Sequence, residues 1–294
     1  MKYLLLGKTG QLGWELNRCL PTMGEVIVWD YPEVDFRRIG ELKSKVQILK
    51  PDVIINAVAY TAVDKAENER EAVMQINAAA PGELAGLSRQ MGIPFIHYST
   101  DYVFDGQKGS PYTETDAPNP LNLYGWSKLD GEKAVSSAGG AYLTLRTSWV
   151  YSTRRDSFVT KVLQWSRQQP SLRMVTDQVG SPTWARFLAE ATAQVLLMTR
   201  VNGVDWLAER SGLYHLAGDG GASRLDWAQA ILELDPDPAQ RLAKEILPAL
   251  TAEFPTPAQR PLYTVLDCAH FQSTFGLRFP PWREALRLAM TGIG

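Results

Sequence analysis

The chain has 294 residues, 45% of them hydrophobic and 21% charged, with a formal net charge of −2, enough material for one large α/β unit or two domains. Its near-neutral balance lacks the clustered basic excess of a nucleic-acid-binding surface, and no apolar run reaches the ~18 residues of a membrane span. Its two cysteines, Cys19 and Cys268, are in no metal-ligand spacing and form no disulfide framework, and the start at Met1-Lys2 has no signal-peptide layout, so a cytoplasmic protein is expected.

Tyr3 to Leu6 predict a buried strand, and Leu12, Leu16 and Leu20 stand at helical spacing. Between them lie Gly7, Gly10 and Gly13, a glycine turn that aims backbone N–H groups and a helix dipole at one point, where a pyrophosphate would sit. The spacing Gly-x-x-Gly-x-x-Gly departs from Gly-x-Gly-x-x-Gly, so the turn alone is a weak signal. Next come a β-branched run at 25–30 ending in Asp30, a helix at 39–49, a nearly continuous apolar strand at 51–59 and a helix at 71–91. A buried strand at 93–100, a loop rich in Gly, Pro and Asp, a helix at 120–137 and a strand from 141 complete this part. Continuous apolar strands, each followed by a helix, belong to a parallel sheet covered on both faces, so the fold class is a doubly wound α/β (Rossmann) sheet. Residues 1–150 are expected to form this dinucleotide-binding domain. Beyond residue 151 the elements shorten and prolines interrupt them, which predicts a smaller substrate-binding α/β region over 151–294 with chain crossings back to the sheet.

In doubly wound sheets ligands bind outside the carboxyl ends of the strands. Gly7–Gly13, Asp30, Ala57–Thr61 and Ser99–Tyr102 all fall at such ends. Asp30, about 20 residues past the glycine turn, can accept from a ribose 2′-hydroxyl; its plainer reading is a cap for the following turn. Tyr124 and Lys128 stand four apart on one helix and share a face. A phenol titrating near ~10 needs a close cation to work at neutral pH, and Lys128 is placed to supply it. Thr100, from the end of the fourth strand, would fix the same carbonyl oxygen. A lone Tyr-x-x-x-Lys is more often a surface aromatic beside a solvated lysine, but its company here points to a hydride-transferring enzyme.

The stretches "GKTGQLG", "NAVAYTAVDKAE", "INAAAP", "STDYVFDG", "YGWSKLDGE", "LRTSWVY", "QVGSPTWA" and "RPLYTVLD" resemble those of the dTDP-4-dehydrorhamnose reductase family of extended short-chain dehydrogenases/reductases. The resemblance implies reduction of the 4-keto group of dTDP-4-dehydro-L-rhamnose by NADH or NADPH, with Thr100, Tyr124 and Lys128 as catalytic trio. It implies cofactor contacts at Gly7, Gly10, Gln11, Leu12, Gly13, Asp30, Asp35, Phe36, Ala59, Tyr60 and Thr61, besides Tyr124 and Lys128. It places Thr61, Val63, Thr100, Asp101, Tyr102 and Trp149 on the dTDP-sugar, with Trp149 as core filling the plainer reading. Arg260 would bind the diphosphate bidentately, or be a surface arginine.

Two departures stand out. Ser157 takes the place of a family asparagine. Some relatives form Mg²⁺-linked dimers; Glu15 matches one ligand, but Glu190 and Glu284 match no partner securely, leaving a monomer or homodimer open and solvated carboxylates as the plainer reading. His97, His215 and His270 show no ligand spacing and receive no catalytic role. Two other functions fit the same motifs: another nucleotide-sugar enzyme, epimerase-like, or a dinucleotide-binding regulatory subunit without turnover. A 4,6-dehydratase would carry Thr-Asp-Glu where this chain has Thr100-Asp101-Tyr102.

Overall fold

The computed structural model describes residues 1–291. Six parallel strands form the main sheet: β1 (Lys2–Leu6), β2 (Glu25–Trp29), β3 (Val53–Asn56), β4 (Phe95–Thr100), β5 (Tyr142–Thr147) and β6 (Gly212–His215), in the order β6-β5-β4-β3-β1-β2. From β1 the chain steps outward to β2 and then returns to the other side of β1, so the carboxyl ends of β1 and β3 part around a crevice. The fold expected from the strand pattern is the one observed.

Side chains alternate across the sheet, as a two-residue repeat requires. Tyr3, Leu5, Val53, Ile55, Leu143 and Leu145 face one layer, with Leu16 of α1 (Gln11–Cys19) and Leu188, Val195 and Leu196 of the helix Ala185–Asn202. Leu4, Leu6, Ile54 and Phe95 face the other, against α2 (Ile39–Leu49), α3 (Ala80–Met91) and Val135 of α4 (Leu123–Ala138). The chain beyond 151 thus contributes both a covering helix and β6 to the main sheet. It also builds a second core from Tyr151, Val159, Val162, Leu172, Trp227, Ile231, Trp282 and Leu286, beside a two-stranded parallel sheet of Ser171–Val175 and Glu245–Ala249. No helix among the described residues is long and apolar enough to cross a membrane.

One helix departs from its expected form. The span predicted as helix at 71–91 is divided into Arg70–Met74, a π-helical segment Gln75–Ala79, and α3. Wider turns of this kind gather at functional sites, and this one carries fully buried Asn77. The helix α4 comes so close to this segment that a Cβ on Gly131 would stand 2.2 Å from the Asn77 carbonyl oxygen. Replacing Gly131 by Ala should therefore push α4 off the π segment and cost about 1–3 kcal/mol, the usual range for overpacking. Urea unfolding of the G131A variant checks this, and an unchanged midpoint would refute the close approach.

Candidate active site

The glycine turn folds as a tight cradle. Gly7 is left-handed at φ +90° and its N–H donates to the Trp29 carbonyl at 2.9 Å. A Cβ on Gly13 would lie 1.9 Å from the Gly7 carbonyl oxygen, and one on Gly7 would strike Val58 and Ala57. Only bare backbone fits there. Gly10 caps α1 without any side chain, so the first N–H groups of that helix face the cleft, the arrangement that binds phosphate.

Around this cradle Gly10, Gln11, Leu12, Ala57, Ala59, Thr61, Tyr98, Ser99, Tyr124, Lys128, Thr147, Val150, Arg155 and Asp156 line a cleft of about 330 Å³. Buried Gln11 Oε1 and Thr147 Oγ1 have no partner, which suits a ligand rich in hydroxyls and amides. The bare cradle and these two atoms fit a dinucleotide.

Asp30 closes the loop at its far side. Its carboxylate accepts from Thr9 N at 2.8 Å, Thr9 Oγ1 at 2.7 Å and Tyr31 N at 2.9 Å. It is therefore a turn cap in the protein alone, and lone pairs remain for a ribose hydroxyl. Asp35 is gripped by the Arg37 guanidinium, 2.7 Å at the shortest contact, and that hydrogen bond holds its carboxyl down at about 2. Phe36 packs in the core, which leaves its backbone as the part that can meet an adenine.

The loop after β3 is held by Asn77, whose Oδ1 accepts from Tyr60 N at 2.8 Å and whose Nδ2 donates to the Tyr60 carbonyl at 3.1 Å and to Ser127 Oγ at 3.0 Å. Ser127 Oγ donates in turn to the Tyr124 carbonyl at 2.7 Å. One buried amide thus fixes the Ala59–Thr61 loop against the helix that carries Tyr124 and Lys128. Sequence reasoning quoted this asparagine in a motif without giving it a role; its effect depends on the π turn, which leaves no local signature.

Tyr124 is half-buried, and its desolvation pushes the phenol well above the ordinary range, with the Thr100 hydroxyl opposing the rise and the Asp101 charge adding to it. The sequence expectation that Lys128 lowers this phenol is not met in the protein without ligand. Lys128 instead donates to the Tyr98 carbonyl at 2.6 Å and contacts His97 Nε2 at 3.3 Å; burial brings its ammonium down to about 8, against the attraction of Glu132. Asp101 is also buried, accepting from Ser148 Oγ at 2.8 Å, Thr264 Oγ1 at 2.5 Å and Thr100 Oγ1 at 3.1 Å. It gathers three chain segments at the end of β4. Tyr102 packs edge-on to Tyr124 at 5.8 Å.

On the substrate side Trp149 adopts φ +41°, a conformation bulky residues avoid, and such strain collects at functional sites. Its ring lies under the Arg224 guanidinium at 3.5 Å and stacks with Trp227 at 5.5 Å. Arg224, which sequence reasoning missed, sits beside Tyr102 and Asp101 with burial opposing its charge. Arg260 donates to Asp64 at 2.8 Å, next to Val63 at the start of the short helix Val63–Ala66. Arg155, also missed, reaches across the cleft to the Thr9 carbonyl.

A model of the family described as "RmlD substrate binding domain" matches residues 1–293. A dTDP-4-dehydrorhamnose reductase of Burkholderia thailandensis is 42% identical, over 100% of this chain and 99% of its own. The chain belongs to the dTDP-4-dehydrorhamnose reductase family. A crystal structure of a dTDP-4-dehydrorhamnose reductase of Clostridium acetobutylicum superposes with a TM-score of 0.90 at 34% identity, covering 100% of this chain and 99% of that one. One from Bacillus anthracis str. Ames, in complex with NADP, superposes with a TM-score of 0.87 at 30% identity over 99% and 98% of the two chains.

Within this dTDP-4-dehydrorhamnose reductase family framework, Ser157 has a local reason. It caps the helix Phe158–Gln168 in a reciprocal capping box with Thr160 and donates to the Ser152 carbonyl at 2.7 Å. The expected metal ligand Glu15 is buried with a raised carboxyl, burial being the main cause and the Arg186 and Arg18 charges acting against it. Glu190 pairs with Arg186 at 2.8 Å, Glu284 pairs with Arg287, and no group of three metal-ligating side chains occurs among the described residues. Glu190 and Glu284 are thus paired with guanidinium groups rather than gathered with Glu15 around a cation.

Behind the trio, Arg146 grips Glu132 through Nε at 2.8 Å and Nη2 at 2.6 Å, and Ser99 Oγ donates to the same carboxylate at 2.5 Å. Both charged side chains are buried. Arg146→Met should cost about 3–5 kcal/mol by stranding a buried carboxylate, whereas Arg146→Met with Glu132→Gln should recover most of it. Thermal unfolding of both variants reads this, and equal losses would refute the pairing.

Proposed function

We propose that this protein reduces the 4-keto group of dTDP-4-dehydro-L-rhamnose to give dTDP-L-rhamnose, the last step in making that nucleotide sugar. The observation that carries the reading is the meeting of Tyr124 and Lys128 with the glycine turn in one cleft, with the Thr100 hydroxyl against the Tyr124 phenol, in a chain of this family. NADH or NADPH, held by the cradle and the Ala59–Thr61 loop, supplies the hydride when bound. The work of the chain is then positioning and proton supply. Burial keeps the Tyr124 phenol protonated, which suits a donor to the keto oxygen rather than a base. The Thr100 hydroxyl donates to Asp101 in the protein and orients the keto oxygen by turning its one hydrogen from that carboxylate to the substrate. Lys128, tied to the backbone of β4, holds positive charge at the foot of the cleft.

The diphosphate is met by Arg260 and Arg224, and the sugar by Thr61, Val63, Tyr102 and Trp149, so the part beyond residue 151 supplies the diphosphate contacts and the first part those to the sugar. The substrate is a soluble nucleotide sugar, which fits action in the cytoplasm as a monomer or homodimer. Arg37 and Arg38 each carry a carboxylate partner, Asp35 and Glu41, so neither is free to offset Asp30 at the ribose, which supports use of NADH beside NADPH.

Tyr124→Phe should leave cofactor affinity nearly intact and lower kcat by at least ~100-fold, the scale of general acid catalysis. The assay follows loss of reduced nicotinamide absorbance with dTDP-4-dehydro-L-rhamnose made in the same tube, and product identity fixes the reaction. Near-normal turnover in the variant would remove Tyr124 as the acid. Asp30→Ala should raise KM for NADH by about 10-fold and KM for NADPH much less, since only the free 2′-hydroxyl uses the carboxylate; equal effects on the two would refute that contact.

A further inference from the structure

His97 is fully buried in β4, between the two loops that line the cleft, and the mechanism above leaves it unused. Its hydrogen bonds are over-determined. Val58 N donates to Asn56 Oδ1 at 3.1 Å, so the Asn56 amide presents Nδ2 to His97 Nδ1 at 3.2 Å. An amide nitrogen only donates. His97 Nδ1 must therefore accept, and a neutral imidazole then carries its hydrogen on Nε2. That nitrogen faces Lys128 Nζ at 3.3 Å. An amine can accept from Nε2–H, whereas an ammonium has no lone pair and needs Nε2 bare.

The two charge states of Lys128 thus demand two different rings. With Lys128 as amine, Nε2–H donates to Nζ, Nδ1 accepts from Asn56, and Val58 N–H keeps Asn56 Oδ1. With Lys128 as ammonium, Nζ donates to the Tyr98 carbonyl and to bare Nε2, and the ring hydrogen sits on Nδ1. The Asn56 amide must then turn its oxygen to the ring and release Val58 N–H. One proton is taken up overall, on Nζ from the cleft; the ring keeps one hydrogen throughout. Val58 immediately precedes Ala59, Tyr60 and Thr61, the loop expected to carry the middle of the cofactor.

We infer that His97 is a positioning residue that couples the charge of Lys128, through the Asn56 amide, to the conformation of the cofactor loop at 57–61. The inference rests on the catalytic reading of Lys128. The titratable groups facing Lys128 are His97 from β4, and Tyr124 and Glu132 from its own helix; Glu132 is neutralised by Arg146. Against His97 itself stand Lys128 and the uncharged Asn56 amide. Burial and the Lys128 charge both keep the ring neutral, so a tautomer change, not protonation, is the available response.

The chain has 3 histidines, so ¹⁵N imidazole spectra can be assigned with single His→Gln variants. The ring nitrogens of His97 should show hydrogen on Nε2 at high pH and shift toward Nδ1 as the pH falls through about 8, the value at which Lys128 gains its charge. In Lys128→Met this shift should vanish. In His97→Gln, whose amide oxygen serves the ammonium at every pH, the alkaline limb of kcat should move up by about one unit. Its KM for NAD(P)H should lose its dependence on pH. A His97 spectrum independent of pH, or a His97→Gln profile that overlays the parent with kcat merely scaled, overturns the coupling. If the parent reduces no nucleotide keto-sugar, the functional reading fails, and the spectra of the parent and of Lys128→Met still decide the coupling.

Discussion

A carboxylate and a guanidinium closed off from water hold the helix that carries Tyr124 and Lys128 in place. Glu132 lies one turn beyond Lys128 on α4, and Arg146 stands on β5, so the forked pair fixes α4 over the middle of the sheet. Such a pair brings little net stability against well-packed apolar residues. What it brings is direction: planar, two-pronged geometry allows one angle of approach. The Ser99 hydroxyl joins the same carboxylate one residue before Thr100. The positions of Thr100, Tyr124 and Lys128 therefore descend from one buried charge pair.

The elements that position the cleft were largely legible in the chain. The helix at 39–49, the apolar strands and the glycine turn are local patterns, and residues at the strand ends could be placed from topology alone. What escaped depends on contacts distant in sequence. Asn77 acts through a π turn that hides in an unbroken helical pattern, and Arg155 at the cleft and Arg224 beside Tyr102 come from a region whose periodicity is weak. His97 reads as one more apolar-strand residue until its neighbours on β3 and α4 are known. Asp30 caps the loop, the plainer of the two readings that its position in the sequence offers.

The electrostatics of the trio follow from enclosure more than from pairing. In water an ammonium beside a phenol would lower it. In this cleft burial raises the phenol and lowers the ammonium at once, driving the two groups further apart in proton affinity. A protonated phenol at the cleft is what the proposed role of Tyr124 as an acid requires. The same enclosure makes hydrogen-bond direction around Lys128 strict, since no solvent is present to mend an unmatched donor.

Strand β6 has a consequence for synthesis of the chain. It pairs with β5 in register from Gly212↔Leu143 to His215↔Arg146, about seventy residues later. Until that stretch has left the ribosome, β5 presents an apolar parallel edge, the type of surface that templates unwanted pairing. Closing so long a loop is entropically slow and makes late sheet completion the hazardous moment of folding. The short strand Gly212–His215 thus decides when the main sheet becomes safe from aggregation.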